Sequence, residues 1–166
     1  MSKPDFRSIL RTLTEREVDF IVVGGVAMVL TGAAYNTFDL DLVHSNSSEN
    51  VARLLVALEE LDAHYRVQPE RRFRPNASHL TSPGHQLLHT RWGPLDLLGQ
   101  IGKGRAYADL LPHSMLMEFR DGLSVRVLDV ETQIAVKEET GREKDRAALL
   151  LLRHVLEESR KKTQQT

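Results

Sequence analysis

Apolar residues recur along the chain with two different periods, and these periods predict both helices and strands. The first stripe with helical spacing is Phe6, Ile9, Leu10 and Leu13. It predicts an amphipathic helix over residues 5–17 that packs on a sheet, with Asp5 as its N-cap. Residues 19–23 are β-branched and aromatic, which is typical of a buried strand. Gly24-Gly25 ends this strand.

The next two segments form a short helix and an unusual strand. Residues 26–30 are apolar and predict the helix, whereas residues 38–42 alternate strictly between apolar and acidic side chains, as in a strand. Because side chains two residues apart lie on the same side of a strand, Asp39 and Asp41 are predicted to project together. The alternate residues, Phe38 included, are predicted to face the core.

Caps, periodicity and turn residues predict the remaining elements. We predict helices over residues 47–61, 130–140 and 143–159, and strands over residues 86–92, 95–98, 115–119 and 123–128. Gly93-Pro94 and Asp121-Gly122 are the predicted turns, and Gly141 ends the helix before it. The last helix is predicted to bury Ala147, Leu150, Leu151 and His154. Residues 68–83 show no periodicity and predict a long loop, either functional or disordered.

Length and composition favour one folded domain. The chain has 166 residues, of which 41% are apolar and 27% are charged. We therefore predict a single domain over residues 1–166, with a core of about residues 18–160, and no linker or repeat. With 22 basic and 23 acidic residues the net charge is −1, so no overall field attracts nucleic acid or anionic lipid.

The absence of cysteine excludes disulfides and thiolate metal sites, and it weakly favours a cytoplasmic location. The first ten residues lack the apolar core of a signal peptide, and the apolar runs are too short to span a bilayer. We therefore predict neither secretion nor membrane insertion.

Two groups of side chains have simpler interpretations than a binding site. Four arginines fall within nine residues: Arg66, Arg71, Arg72 and Arg74. They could form a local nucleic-acid patch, but a solvated basic loop is favoured. His85 and His89 would share one strand face, but no cysteine or paired carboxylate accompanies them, so a zinc site is not favoured.

The paired carboxylates of Asp39 and Asp41 are the strongest chemical signal. Two adjacent carboxylates repel each other unless a cation neutralises them, and oxygen ligands suit a Mg²⁺ that also binds substrate phosphates. An isolated Asp-x-Asp triplet is more often a strand edge that faces water. The upstream Gly24-Gly25 turn favours the metal site over a water-facing strand edge, because it lets backbone N–H groups approach a phosphate.

Together these features resemble the nucleotidyltransferase superfamily with the DNA polymerase β-like fold. Its pattern is an apolar strand, Gly-Gly or Gly-Ser, a helix, and then Asp-x-Asp on the next strand. This chain reads VVGGVAMVLTGAAYNTFDLDLV, with thirteen residues between Gly25 and Asp39. The later stretch AVKEETGREKD is similar to small predicted bacterial nucleotidyltransferases, including relatives of toxins in toxin–antitoxin systems. The resemblance covers roughly residues 20–155.

The resemblance implies an α+β fold with a central mixed sheet flanked by helices, and a set of site residues. Asp39, Asp41 and Asp96 would hold one or two Mg²⁺ ions, with Asp96 as general base. Gly24, Gly25, Thr37 and Lys137 would bind the triphosphate of an NTP. The implied activity is transfer of an NMP to an unidentified hydroxyl or phosphate acceptor on a tRNA, a protein or a small molecule. An antitoxin is an implied partner.

One departure from the family pattern leaves a second hypothesis open. Many members of the small group carry an arginine four residues before the first aspartate, where this chain has Tyr35. Lys137, Arg142 or an arginine of residues 66–74 could substitute for it. Otherwise the chain would be a noncatalytic nucleotide-binding or protein-interaction module. For Asp145 we predict a structural ion pair rather than a catalytic role.

Overall fold

One mixed sheet of seven strands runs through the computed structural model, which describes residues 3–165. The strands are β1 (Phe20–Val23), β2 (Leu40–His44), β3 (His64–Tyr65), β4 (His85–Thr90), β5 (Gly93–Leu98), β6 (Ser114–Glu118) and β7 (Ser124–Leu128). Their order across the sheet is β3-β4-β5-β2-β1-β7-β6. The β1–β7 and β2–β5 pairs are parallel, and the other neighbours are antiparallel.

Helices flank this sheet, so the predicted α+β class is confirmed. They are α1 (Phe6–Glu15), α2 (Gly24–Leu30), α3 (Ser48–Glu60), α4 (Ala77–Thr81), α5 (Tyr107–Leu110), α6 (Val130–Thr140) and α7 (Arg146–Gln164). The side chains of Asp5, Ser47 and Asp129 cap α1, α3 and α6 by accepting backbone N–H groups of the first turn. Among the described residues, no helix is long and apolar enough to cross a membrane.

Two apolar clusters lie on the two faces of the sheet. The larger one joins side chains of α1 and α3 to leucines of β2 and β5: Leu40, Leu42, Leu95 and Leu97. The smaller one includes Ile21 and Val23 of β1, Val43 of β2 and Leu110 of α5. Because successive side chains of a strand point to opposite faces, Asp41 lies on the face of the smaller cluster.

The start of β2 differs from the prediction. The strand begins at Leu40, so Asp39 lies in the bend before it, and Phe38 is 76% exposed rather than in the core. The alternating pattern of residues 38–42 therefore begins two residues before the observed strand.

Three further expectations were wrong in detail. Gly93 and Pro94 belong to β5, and the turn before them is at residues 91–92. Residues 68–83 are not a structureless loop, because they contain a 3₁₀ turn at Pro69–Arg71 and helix α4, which Asn76 caps. Helix α7 buries Ala148 and Leu152, whereas Leu150 is 68% exposed.

Candidate active site

The sheet register places the two strand aspartates side by side. Asp41 is opposite Val23 of β1 and is also paired with Asp96 of β5. Cross-strand partners project to the same face, and Asp39 adds a third carboxylate from the bend before β2. One oxygen from each of the three lies within 4.8 Å of the others. The structure thus brings together the three carboxylates that were predicted to hold metal.

Ionisation of Asp39 and Asp41 is disfavoured in this arrangement. Burial, followed by the charges of Asp96 and Asp39, raises the pKa of Asp41 to about 8, and Lys137 only partly opposes this. Burial and then the neighbouring Asp96 also raise the pKa of Asp39. A bound cation would remove this repulsion, because it stabilises the ionised form of each ligand.

Asp96 is the most buried of the three carboxylates. Its side chain is 10% exposed, and its buried Oδ1 accepts no hydrogen bond from any group within residues 3–165. Arg66 Nη1 lies 2.7 Å from this oxygen as an ion-pair contact. A buried carboxylate oxygen with unused acceptor capacity, beside two further carboxylates, fits a hard cation such as Mg²⁺.

Gly24 and Gly25 allow the chain to turn tightly against the carboxylates. Gly24 has a φ of +65°, and a Cβ atom there would lie 2.1 Å from Asp41 Oδ2. A Cβ atom at Gly25 would lie 2.7 Å from Thr37 Oγ1 and 3.1 Å from Tyr35 Cε1. Thr37 Oγ1 in turn donates to the backbone carbonyl of Asp39 at 3.0 Å. Any larger residue at either glycine would displace the groups that form the site.

A cavity of about 990 Å³ opens onto these residues. It is lined by six of the seven predicted site residues: Gly24, Gly25, Thr37, Asp39, Asp41 and Lys137. Asp96, the cross-strand neighbour of Asp41, is the exception. A cavity of this size is at the upper end of the range for small-molecule sites, which leaves room for a nucleotide and part of an acceptor.

Lys137 reaches the cavity from α6 and is held by an ion pair. Its Nζ lies 3.4 Å from Asp145 Oδ1, and Arg142 Nε lies 3.1 Å from the other oxygen. Although burial opposes ionisation of Asp145, the charges of Lys137 and Arg142 lower its pKa. The predicted structural ion pair of Asp145 is therefore confirmed, and it positions Lys137 at the wall of the cavity.

The four arginines that lie close together in the sequence do not converge on one site in the structure. Arg72 and Arg74 both pair with Asp62, at 2.6 Å and 2.7 Å, and Arg71 stacks over the Phe73 ring. Of these four, only Arg66 contacts the aspartate site, and no periodic pattern in the sequence predicts this contact. No histidine within residues 3–165 belongs to a group of three or more potential metal ligands.

Comparison with solved structures finds proteins of similar fold over nearly the whole chain. Lincosamide antibiotic adenylyltransferase LnuA, solved with lincomycin bound, has a TM-score of 0.62 and 17% identity, covering 90% of this chain and 95% of that chain. The antibiotic-resistance factor ANT(2'')-Ia, in complex with adenylyl-2''-tobramycin, has a TM-score of 0.57 and 18% identity, covering 91% and 87%. A candidate nucleotidyltransferase from Thermotoga maritima has a TM-score of 0.56 and 17% identity, covering 92% and 91%.

These identities are low, so the likeness concerns the fold. No protein-family model matches the sequence, and a search of curated proteins finds no match.

Proposed function

The chain has the nucleotidyltransferase fold, and on that premise we propose that it transfers an NMP from an NTP to an acceptor in a Mg²⁺-dependent reaction. The observation that carries this proposal is the cluster of Asp39, Asp41 and Asp96, whose oxygens lie within 4.8 Å of one another. The cluster lies at a glycine turn and beside a cavity of nucleotide size, and one of its buried oxygens lacks a hydrogen bond. The combination is far more specific than an acidic cluster alone.

Each residue has a defined task in this proposal. Asp39, Asp41 and Asp96 would hold Mg²⁺, which would lower the pKa of the acceptor hydroxyl and stabilise the pyrophosphate that leaves. The Gly24-Gly25 backbone would lie against the triphosphate, and Lys137 would supply positive charge from the wall of the cavity.

The bond changes follow from this arrangement. The acceptor oxygen forms a bond to the α-phosphorus of the NTP, and the bond from that phosphorus to the pyrophosphate oxygen breaks. Asp96 takes the proton of the acceptor hydroxyl. Before it can do so, its carboxylate must face the acceptor rather than Arg66, so the position of Arg66 affects this step directly.

The nature of the acceptor is the open part of the proposal. LnuA was solved with lincomycin bound and ANT(2'')-Ia in complex with adenylyl-2''-tobramycin, so both proteins bind small molecules. For this chain we propose that the acceptor group is a hydroxyl or a phosphate. A tRNA, a protein and a small molecule are the three carriers to be tested.

Transfer of label from α-³²P-labelled NTPs tests the proposal. The four NTPs are each incubated with Mg²⁺ and with tRNA, a protein extract or a panel of small hydroxyl compounds. With the wild type we expect labelled acceptor together with unlabelled pyrophosphate. With Asp41→Asn we expect neither product. Asp62→Asn is the matched control, because Asp62 is a paired carboxylate outside the cavity, and it should leave transfer unchanged. Transfer that persists in Asp41→Asn would contradict the proposal.

Tyr35 supports a second candidate function, a noncatalytic nucleotide-binding or protein-interaction module. Its ring lies next to Gly25, at the position where many members of the small group carry an arginine, and it lines the cavity. In that case calorimetry should show NTP or partner binding without turnover, and Asp41→Asn should leave the biological phenotype intact. Loss of the phenotype with Asp41→Asn would exclude the noncatalytic module.

A further inference from the structure

Arg66 contacts the aspartate site from outside the cavity. It directly follows β3, and its side chain is 30% exposed. Its Nη1 donates to the backbone carbonyl of Leu88 at 2.9 Å and lies 2.7 Å from Asp96 Oδ1. The guanidinium is therefore anchored on β4 while its charge lies against a carboxylate of β5.

The contact with Asp96 is unlike a structural arginine–carboxylate pair elsewhere in the molecule. Arg105 donates to Glu139 through two nitrogens: Nε and Nη2 both donate to Oε1, and Nε also donates to Oε2 at 3.3 Å. Asp96 Oδ1, in contrast, accepts no hydrogen bond from the described residues, although Arg66 Nη1 is within range. Arg66 thus contacts Asp96 as an ion pair, through one nitrogen.

The charge of Arg66 acts on the rest of the cluster as well. Arg66 contacts Asp96, one oxygen of which lies within 4.8 Å of an oxygen of Asp39 and of an oxygen of Asp41. A cation held by the three carboxylates would lie close to the same guanidinium, and two positive charges at such a separation repel. Arg66 therefore stabilises the carboxylates when the site is empty and disfavours a cation that arrives alone.

We propose that Arg66 is a counter-ion of the aspartate site that positions Asp96 and makes metal binding depend on the nucleotide. This inference rests on the proposed function. A free divalent cation carries only positive charge and is repelled by Arg66, whereas a metal–triphosphate complex is negative overall and is attracted by it. Arg66 thus favours joint arrival of metal and NTP over binding of metal alone.

Calorimetric titration of Mn²⁺ into the protein without nucleotide tests the inference. We expect Arg66→Gln to bind Mn²⁺ roughly tenfold more tightly than the wild type, a figure that allows for screening by solvent at Arg66. With Mn²⁺ and a non-hydrolysable NTP together, we expect Arg66→Gln to bind several-fold more weakly. Arg66→Lys, which keeps the charge, should resemble the wild type in both titrations.

A double-mutant cycle separates action through Asp96 from a structural effect. In the Asp96→Asn background, we expect Arg66→Gln to change Mn²⁺ affinity far less than it does in the wild type. Arg72→Gln is the matched control, because Arg72 pairs with Asp62 outside the site, and its Mn²⁺ affinity should equal that of the wild type. If Arg66→Gln does not fold, Arg66→Met, which keeps more of the apolar stem, takes its place.

The outcomes distinguish this inference from the function on which it rests. If the wild type binds Mn²⁺ neither alone nor with nucleotide, the metal site of the proposed function fails. If the wild type binds Mn²⁺ and Arg66→Gln binds it equally or less tightly without nucleotide, the counter-ion role of Arg66 is overturned while the proposed function stands.

Discussion

Alternate residues of β2 and β5 serve opposite purposes on the two faces of one sheet. Facing α1 and α3, the leucines Leu40, Leu42, Leu95 and Leu97 are each at most 1% exposed. On the opposite face, Asp41 lies beside Asp96, and burial together with this neighbour raises the pKa of Asp41. One face stabilises the fold and the other supports the chemistry, although the two sets of side chains alternate along the same strands.

This comparison shows how a destabilising cluster can persist in a stable protein. Burial of one leucine side chain contributes about 1.5–3 kcal/mol to the free energy of unfolding. Four such side chains offset the unfavourable placement of a few carboxylates. The strands that the leucines fix also set the Asp41–Asp96 register, which keeps the carboxylates together. We therefore expect substitutions on the two faces to have separable effects.

The largest expected effect is on activity, from Asp41→Asn on the cavity face. The variant keeps the shape of the side chain but loses a metal ligand, so NMP transfer should fall at least ~1000-fold, equivalent to about 4 kcal/mol. Its metal-free stability should equal or exceed that of the wild type, because the repulsion around Asp41 is removed. Urea unfolding in EDTA and the labelled-NTP assay measure the two quantities. A large loss of stability would show that the two faces are not separable.

The opposite face is tested by Leu42→Ala. Removal of this fully buried side chain should lower the free energy of unfolding by about 2–5 kcal/mol. Transfer per folded molecule should fall far less than it does in Asp41→Asn. Leu87→Ala on β4 is the control, since Leu87 is 41% exposed and its truncation should cost much less. Equal losses of stability in the two leucine variants would contradict the assigned core.

Gly24→Ala is expected to affect both the stability of the fold and the binding of metal. The added methyl group meets Asp41 Oδ2 and the backbone has a positive φ, so we expect a stability loss of about 1–3 kcal/mol together with weaker Mn²⁺ binding. Gly122→Ala is the matched control, because Gly122 also has a positive φ but has no atom within 4 Å of the added Cβ. It should lose stability from backbone strain and bind Mn²⁺ normally. Unchanged Mn²⁺ affinity in Gly24→Ala would argue against close contact with the carboxylate.

The smallest effect is expected at the other end of β2, where His44 is 4% exposed. Burial lowers the pKa of His44, so the folded state favours the neutral ring. The stability linked to His44 is present above its unfolded pKa of about 6.5, and it is lost as the pH falls through the lowered value in the folded state. His44→Gln should therefore weaken the loss of stability between pH 7 and pH 5 in urea titrations. An unchanged slope would show that this histidine does not contribute.

Local signals in the sequence predicted the start of α1 and the end of α6. Asp5 accepts a hydrogen bond from the backbone N–H of Ser8, and Gly141 adopts the left-handed conformation that ends α6. These interactions span few residues, so the sequence alone contains them.

Apolar periodicity predicted the wrong buried residues in α7. Its run of four leucines places apolar side chains on every side of the helix, and the helix begins at Arg146 after a 3₁₀ turn. The residues that become buried are Ala148 and Leu152. Phe38 failed for a related reason, because alternation identifies a strand but does not locate its first residue. The first residue of β2 is defined only by packing against α2 and by pairing with β1 and β5.

The site could be predicted only as far as its residues are close in sequence or match a family pattern. Asp39 and Asp41 followed from alternation and Gly24 from the turn, whereas Asp96 required the resemblance. Arg66 was missed as a contact of Asp96, since the two residues are thirty positions apart and meet only when β3, β4 and β5 pair.

A crystal structure of the protein with Mg²⁺ and a non-hydrolysable NTP tests the central claim most directly. The account predicts a cation bound by oxygens of Asp39, Asp41 and Asp96, with the triphosphate against Gly24-Gly25. A nucleotide bound elsewhere, or a cation that contacts none of the three carboxylates, would contradict it.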